Sequence, residues 1–301
     1  MHQAETRPVA AAVSMLAAML VIGVIDNFVA VIGGTIGLWQ FYVVRFALAL
    51  PLLWLMALGG MGTMRPARLW AVAARSFMVA LAMLIYFSAL TVMPIAQALA
   101  GLFTSPIFVL VISAVVLRQK IGPWRILAVV MGFAGALIVL EFDPANVTWG
   151  SLVPMLGGFF YALGAIATRA WCARESTVAM LTGVMGMQGA MGVIGLAIIA
   201  GLGLGEAEGA LGFVTRGWVW PFDDIYGWLL LQCVGSVVGV FGIIRAYQWS
   251  EASYVSVFEY AVMIFGPLFG WLWFGQQMGP WQMAGAAMIA GAGAIITVRS
   301  K

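Results

Sequence analysis

The chain predicts an all-α membrane protein of ten transmembrane helices in two inverted five-helix repeats. Three observations carry that prediction. Of the 301 residues, 64% are hydrophobic and only 8% are charged, whereas soluble domains carry roughly 25% charged residues. The apolar residues fall into helix-length runs, and an apolar run of about twenty residues is long enough to span a bilayer. Finally, Gln119-Lys-Ile-Gly-Pro-Trp124 returns as Gln276-Gln-Met-Gly-Pro-Trp281, so the second half copies the first.

In chain order the predicted spans are 9–31, 38–60, 69–91, 94–117, 121–140, 148–170, 178–203, 225–249, 252–276 and 280–298. The first follows Arg7 and runs apolar to about Gly33. That is too long for a signal-peptide core of roughly 7–15 residues, so it reads as a retained span. Spans five and ten each open on Gly-Pro-Trp and are rich in Gly and Ala, as in Met131–Ala136 and Ala284–Gly293. Small residues let helices approach closely in lipid. Pro51, Pro106, Pro154 and Pro267 lie inside spans and are expected to kink them. Most connections are a few residues long, which favours antiparallel neighbours. Residues 204–224, with Gly, acids and Trp, read instead as an interfacial loop with a short surface helix.

Lys and Arg in short loops set orientation. With the N-terminus inside, the inner connections hold Arg65, Arg68, Arg118, Lys120, Arg174 and Glu251. The outer ones hold Glu141, Asp143, Glu206, Glu208, Asp223 and Asp224 against the single base Arg216. This segregation predicts a multi-pass protein of a bacterial-type inner membrane with both termini cytoplasmic. It also accounts for the net charge of +3 without a nucleic-acid partner, since there is no long basic run.

The repeat offset is 276 − 119 = 157, and it also aligns Ala89 with Ala246 and Ile138 with Ile295. The repeats are set at 1–144 and 145–301. Five helices is an odd number, so the second copy is expected upside down relative to the first. Inverted repeats mark secondary transporters, whose substrate site lies near the midplane between them.

Several local patterns resemble the drug/metabolite transporter superfamily, in its ten-helix EamA-type branch. They are Asp26-Asn27, Phe41-Tyr-Val-Val-Arg-Phe46, Ala74-Arg75, Tyr86-Phe-Ser-Ala-Leu90 and Thr104-Ser-Pro-Ile-Phe-Val-Leu110. Gly132-Phe-Ala-Gly-Ala-Leu-Ile138, Phe258-Glu-Tyr260 and Gly270-Trp-Leu-Trp-Phe-Gly-Gln276 continue the likeness along nearly the whole chain. Within the superfamily, Asp26-Asn27, Arg45 and Arg75 look most like the subgroup that includes uptake carriers for S-adenosylmethionine and riboflavin. Many members carry Glu where this chain has Gln119 and Gln276. The resemblance implies a carrier of a small organic metabolite, such as an amino acid, an amine or a cofactor-like compound. It would work by alternating access, powered by protons or exchange, as a monomer or homodimer. A passive channel is the first alternative; a membrane enzyme or receptor is the second, and the short loops argue against both of those.

Few ionisable groups lie inside the spans. Glu259 stands alone at its depth. A carboxylate there is costly and by default marks function. It reads as a proton carrier, as a receptor for a substrate amine, or as a neutral acid bonded to a neighbouring helix. Tyr260, Ser256, Tyr86, Tyr161 and Gln97 are the other candidate substrate or coupling residues. Asp26, Asn27 and Arg45 lie at similar depth on consecutive helices and read as an ion pair, an outer gate, or an Arg45 site for a substrate carboxylate. There is no Walker motif, no Cys/His metal spacing and no nucleophile–base pair. No enzyme activity, cofactor or metal is expected.

Overall fold

A computed structural model of the chain describes residues 6–147, 149–203, 207 and 209–299. His2, Glu206, Glu208 and Lys301 fall outside them. Among the described residues the elements are all helical, with no β-strand. Nine helical stretches are long and apolar enough to cross a membrane: Pro8–Thr35, Leu38–Leu58, Leu69–Ala89, Ile95–Val115, Trp149–Ala170, Thr177–Leu202, Asp223–Trp249, Ala252–Phe274 and Pro280–Arg299. A tenth apolar helix, Pro123–Val139, has 17 residues, at the lower limit for a span. In chain order these are spans 1 to 10, with Pro123–Val139 as span 5.

Seven spans are continuous and three are broken. Span 1 is interrupted between Pro8–Asp26 and Val29–Thr35, and span 4 between Ile95–Leu102 and Ser105–Val115. Span 9 runs Ala252–Val255, then a 3-10 turn Ser256–Ala261, then Val262–Phe274. The prolines do not set these breaks. Pro51 and Pro267 sit inside unbroken helices, and Pro154 lies near the start of its own. Only Pro106 adjoins a break. The breaks of spans 4 and 9 lie instead in the protein interior, where other helices can satisfy freed backbone groups.

The helices assemble into two bundles and two pairs. Span 1 packs on spans 8 and 9, and span 6 packs on spans 3 and 4. Spans 2 and 7 pair, and so do spans 5 and 10. Contact between the two bundles is concentrated in the second half of span 4, the first part of span 9 with its 3-10 turn, and the facing parts of spans 6 and 8. The other halves of spans 4 and 9, Ile95–Leu102 and Val262–Phe274, are not a packed pair, which leaves room for a cleft between the bundles at that end.

The closed end is locked by polar contacts. The Glu175 carboxylate accepts from the Ala67 and Arg68 amides at 2.8 and 2.9 Å and pairs with Arg68 Nε at 3.5 Å. The Gln248 amide donates to the Cys172 and Glu175 carbonyls at 2.9 and 2.8 Å and accepts from Thr177 Oγ1 at 2.8 Å. Arg125 pairs with Glu251 at the same end. At the far end, residues 209–225 form only short turns and the four-residue helix Gly212–Thr215, in line with the surface loop expected there. They dock on spans 1 and 2 through Trp39 Nε1 to the Val214 carbonyl at 2.7 Å and Arg216 Nη1 to the Gly33 carbonyl at 3.0 Å.

The Gly/Ala-rich spans 5 and 10 meet backbone to backbone. A Cβ on Gly135 would lie 2.7 Å from the Gly285 carbonyl oxygen, and one on Gly285 2.6 Å from that of Gly135. Neither backbone can give way. Gly285→Leu is therefore expected to cost about 3 kcal/mol of stability, read as a lower thermal midpoint in detergent. Gly227→Ala, which has nothing within 4 Å, is the neutral control.

Candidate functional site

Glu259 sits in the 3-10 turn of span 9, 4% exposed, where the two bundles touch. Its Oε1 accepts from Tyr247 Oη of span 8 at 2.7 Å and from Tyr161 Oη of span 6 at 3.1 Å. No base lies within 4.0 Å of it among the described residues. One hydroxyl thus comes from Glu259's own bundle and one from the other. Tyr161 is only partly buried, so it forms the boundary between the buried acid and the cleft above.

Tyr260 makes a second link between the bundles. Its hydroxyl donates to the Phe103 carbonyl at 3.2 Å, at the break of span 4. Its ring is seated on span 5, where a Cβ on Gly132 would lie 2.5 Å from it. The breaks of spans 4 and 9 therefore face each other across the floor of the cleft. Beneath the tyrosines, Arg75 of span 3 is buried and donates from Nε to Thr168 Oγ1 at 3.0 Å. Its charge acts on the Tyr161 and Tyr247 hydroxyls, and its Nη1 has no hydrogen-bond partner.

The remaining predicted residues are distributed as follows. Ser256 is fully buried one turn before Glu259, with an unpartnered hydroxyl. Gln97 is buried on the first half of span 4. Tyr86 is partly exposed on span 3, on the same helix face as Arg75 and Val79. Asp26 ends the first helix of span 1, on the face it shares with Met15, Met19 and Ile22. That is the interior face, opposite the exposed Val13 and Leu20. Asp26 itself is exposed.

Asp26 and Arg45 do not form a contact ion pair in this conformation. Arg45 Nη2 donates to Gln188 Oε1, and the guanidinium lies over the Phe41 and Tyr42 rings at 4.8 and 5.5 Å. It acts on Asp26 only through its field. Asn27 is a backbone cap, donating to the Gly23 carbonyl at 2.7 Å and reaching the Gly266 carbonyl of span 9 at 3.5 Å. Equal depth on adjacent helices fixed the separation along the membrane but not the rotation of the helices. The residue that the sequence reading missed is Tyr247, which makes the shorter bond to Glu259. A tyrosine two residues from the end of an apolar span is indistinguishable from an interfacial anchor.

A recess of about 410 Å³ opens elsewhere, between spans 1, 9 and 10, lined by Leu16, Phe258, Ala261, Ile289 and Gly293 among others. Its apolar walls suit acyl chains, not a polar metabolite.

Ten apolar helices with a buried carboxylate where two bundles meet mark a polytopic membrane protein. Comparisons with known proteins agree. Residues 9–141 match the EamA-like transporter family. The chain is 28% identical over 262 residues to a riboflavin transporter of Rhizobium johnstonii, covering 86% of this chain and 78% of that one. It is 31% identical over 206 residues to a riboflavin transporter of Vibrio cholerae, covering 68% and 63%. A pseudopaline exporter of Pseudomonas aeruginosa is 27% identical over 218 residues, covering 71% and 70%. A solved crystal structure shares the fold with a TM-score of 0.78 at 18% identity, over 96% of this chain and 97% of that one. The chain matches the EamA-like transporter family over residues 9–141, and these relatives are named as transporters and exporters. It is a small-metabolite secondary transporter of the membrane, not an enzyme.

A hydrogen bond to a charged group contributes roughly 1.5–3 kcal/mol, a neutral one about 1. Tyr247→Phe, which loses the 2.7 Å bond, is expected to destabilise more than Tyr161→Phe. Thermal midpoints of both variants in detergent check the order; equal losses would contradict it.

Proposed function

We propose that the chain is an alternating-access carrier built from two inverted repeats, residues 1–144 and 145–301. It lies in a bacterial inner membrane with both termini cytoplasmic. The pairing of spans supports the repeat. Adding five to each span number, cyclically, turns the 1·8 contact into 6·3 and 1·9 into 6·4, and leaves 2·7 and 5·10 unchanged. The breaks support it too. The offset of 157 carries Phe103-Thr104, the break of span 4, onto Tyr260-Ala261 in the 3-10 turn of span 9. The orientation rests on the loop charges and on the clustering of Arg68, Arg125, Glu175 and Glu251 at the sealed end. In that orientation the cleft faces outward.

The metabolite we propose is a flat, hydrogen-bonding, cofactor-like compound. Riboflavin is the first candidate, because the relatives from Rhizobium, Vibrio and Brucella are named as its transporters. Tyr86 and Tyr161, both partly exposed, offer ring faces to it, with Gln97, Ser256 and Tyr260 buried behind them. Glu259 carries the reading. It is a buried carboxylate held by neutral hydroxyls of both bundles, so its charge awaits either a proton or a substrate donor. Binding or protonation there weakens the link between the bundles, which is the coupling a carrier needs.

Proteoliposomes loaded with unlabelled riboflavin and supplied with labelled riboflavin test this. Saturable counterflow is expected from the native protein. Glu259→Gln should reduce it by about tenfold or more, the equivalent of one charge-assisted hydrogen bond. Flux that does not saturate would point to a channel, and an unchanged Glu259→Gln rate would remove Glu259 from the mechanism.

A further inference from the structure

Span 2 carries a buried cation that the Glu259 mechanism does not use. Arg45 is 9% exposed. A guanidinium keeps its proton in proteins and offers five N–H donors. Here a single acceptor answers them: Nη2 donates to Gln188 Oε1 of span 7. No carboxylate lies within 4.0 Å of Arg45 among the described residues. The Phe41 and Tyr42 ring centres, 4.8 and 5.5 Å from the guanidinium carbon, attract the charge but do not replace acceptors in its plane. A neutral amide and two ring faces leave the cation without an anion, and a charge in that state is expensive inside a membrane protein.

Tyr42, in contact with that guanidinium through its ring, is the second observation. It is fully buried, and its hydroxyl has no hydrogen-bond partner. Buried hydroxyls are normally bonded, so one without a partner calls for an explanation. The ring is fixed in place: it packs edge-on against Phe87 of span 3, with centroids 6.1 Å apart. Span 7 presses on span 2 from the other side at Gly189 and Gly192. An added Cβ there would lie 2.8 Å from the Phe46 ring and 2.5 Å from the Trp39 carbonyl oxygen. Unmet donors of one cation and one phenol therefore share a rigid setting. A second cation would be repelled by Arg45, and a neutral acceptor would leave its charge uncompensated. An oxyanion answers both groups, because it accepts from the guanidinium fork and from a hydroxyl.

We propose that Arg45 and the Tyr42 hydroxyl form a binding site for an oxyanion, the carboxylate or phosphate group of a small metabolite. The site rests on the carrier reading, but not on the role of Glu259 or on riboflavin as substrate. Gln188 positions the guanidinium from span 7, and Phe87 positions the phenol from span 3. The anion is thus held by groups braced on two neighbouring helices. Such a site gives the carrier a preference for acidic metabolites over their neutral analogues.

Thermal stability of the purified chain tests this without knowledge of the substrate. Sodium acetate and sodium phosphate are titrated against sodium chloride at constant ionic strength. A ligand that binds only the folded state raises the midpoint by mass action. At least one of the two oxyanions is expected to raise it saturably, by about 3–5 °C at ten times its half-saturating concentration. A response to acetate alone identifies a carboxylate site, and a response to phosphate alone a phosphate site. Salting-out by phosphate stabilises by exclusion from the protein surface, so it neither saturates nor depends on Arg45. Arg45→Gln should abolish the saturable response. Arg45→Lys keeps the charge and loses the fork; it should need about tenfold more anion, and it provides the comparison if Arg45→Gln does not fold. Tyr42→Phe should also need about tenfold more anion, without a lower midpoint in the ligand-free protein, since its hydroxyl has no partner to lose. Glu259→Gln should keep the native response, which separates this site from the proposed coupling site. No saturable response in the native protein, or an equal response in Arg45→Gln, would overturn the proposal.

Discussion

One carboxylate, buried in a membrane and held by two phenol hydroxyls, is the contact on which this architecture turns. Nothing in hydrocarbon solvates a charge, so Glu259 must be satisfied by protein. Its two donors come from opposite bundles, Tyr247 from its own and Tyr161 from the other. Both bundles are thus tied to that one carboxylate. The breaks of spans 4 and 9 follow from the same need. A regular helix would carry Glu259 past its donors, whereas the 3-10 turn Ser256–Ala261 sets it between them. The Phe103 carbonyl left open by the span 4 break finds the Tyr260 hydroxyl.

The two ends of the molecule divide the work. Below Glu259, Arg75, Gln248 and Glu175 close the path with buried polar contacts. These contacts can re-form with water when that end opens. Cys172 sits in this seal, outside the membrane spans, and burial pushes its thiol up to about 11, so it stays protonated and unreactive at neutral pH. Above Glu259, Tyr161 and Tyr86 are partly exposed and Asp26 is exposed. Spans 5 and 10, locked by Gly135 and Gly285, stand outside both bundles.

Much of the fold was legible in the sequence because the bilayer leaves few choices. Ten apolar runs, charged connections and a Gly-Pro-Trp repeat led to ten helices whose limits match the structure to within a few residues, apart from the break and continuation of span 1 to Thr35. The breaks were not legible. Proline marks where a helix lacks a donor, but these helices break where neighbours can replace the lost bonds, which is a tertiary property. Glu259 was legible because charge is rare in lipid. Its partner Tyr247 was not, because rotation about a helix axis leaves no trace in hydropathy. The same blindness set Asp26 and Arg45 facing each other, whereas the guanidinium donates to Gln188 of span 7.

The most direct test is solvent access to the two sides of Glu259 in the ligand-free protein. Tyr86→Cys and Thr168→Cys are introduced separately in a background of Cys172→Ser and Cys233→Ser. Each is then exposed to a membrane-impermeant thiol reagent. A cleft open above Glu259 and sealed below it predicts rapid labelling at position 86 and almost none at 168. Equal labelling of the two positions, or labelling at 168 alone, would contradict the account.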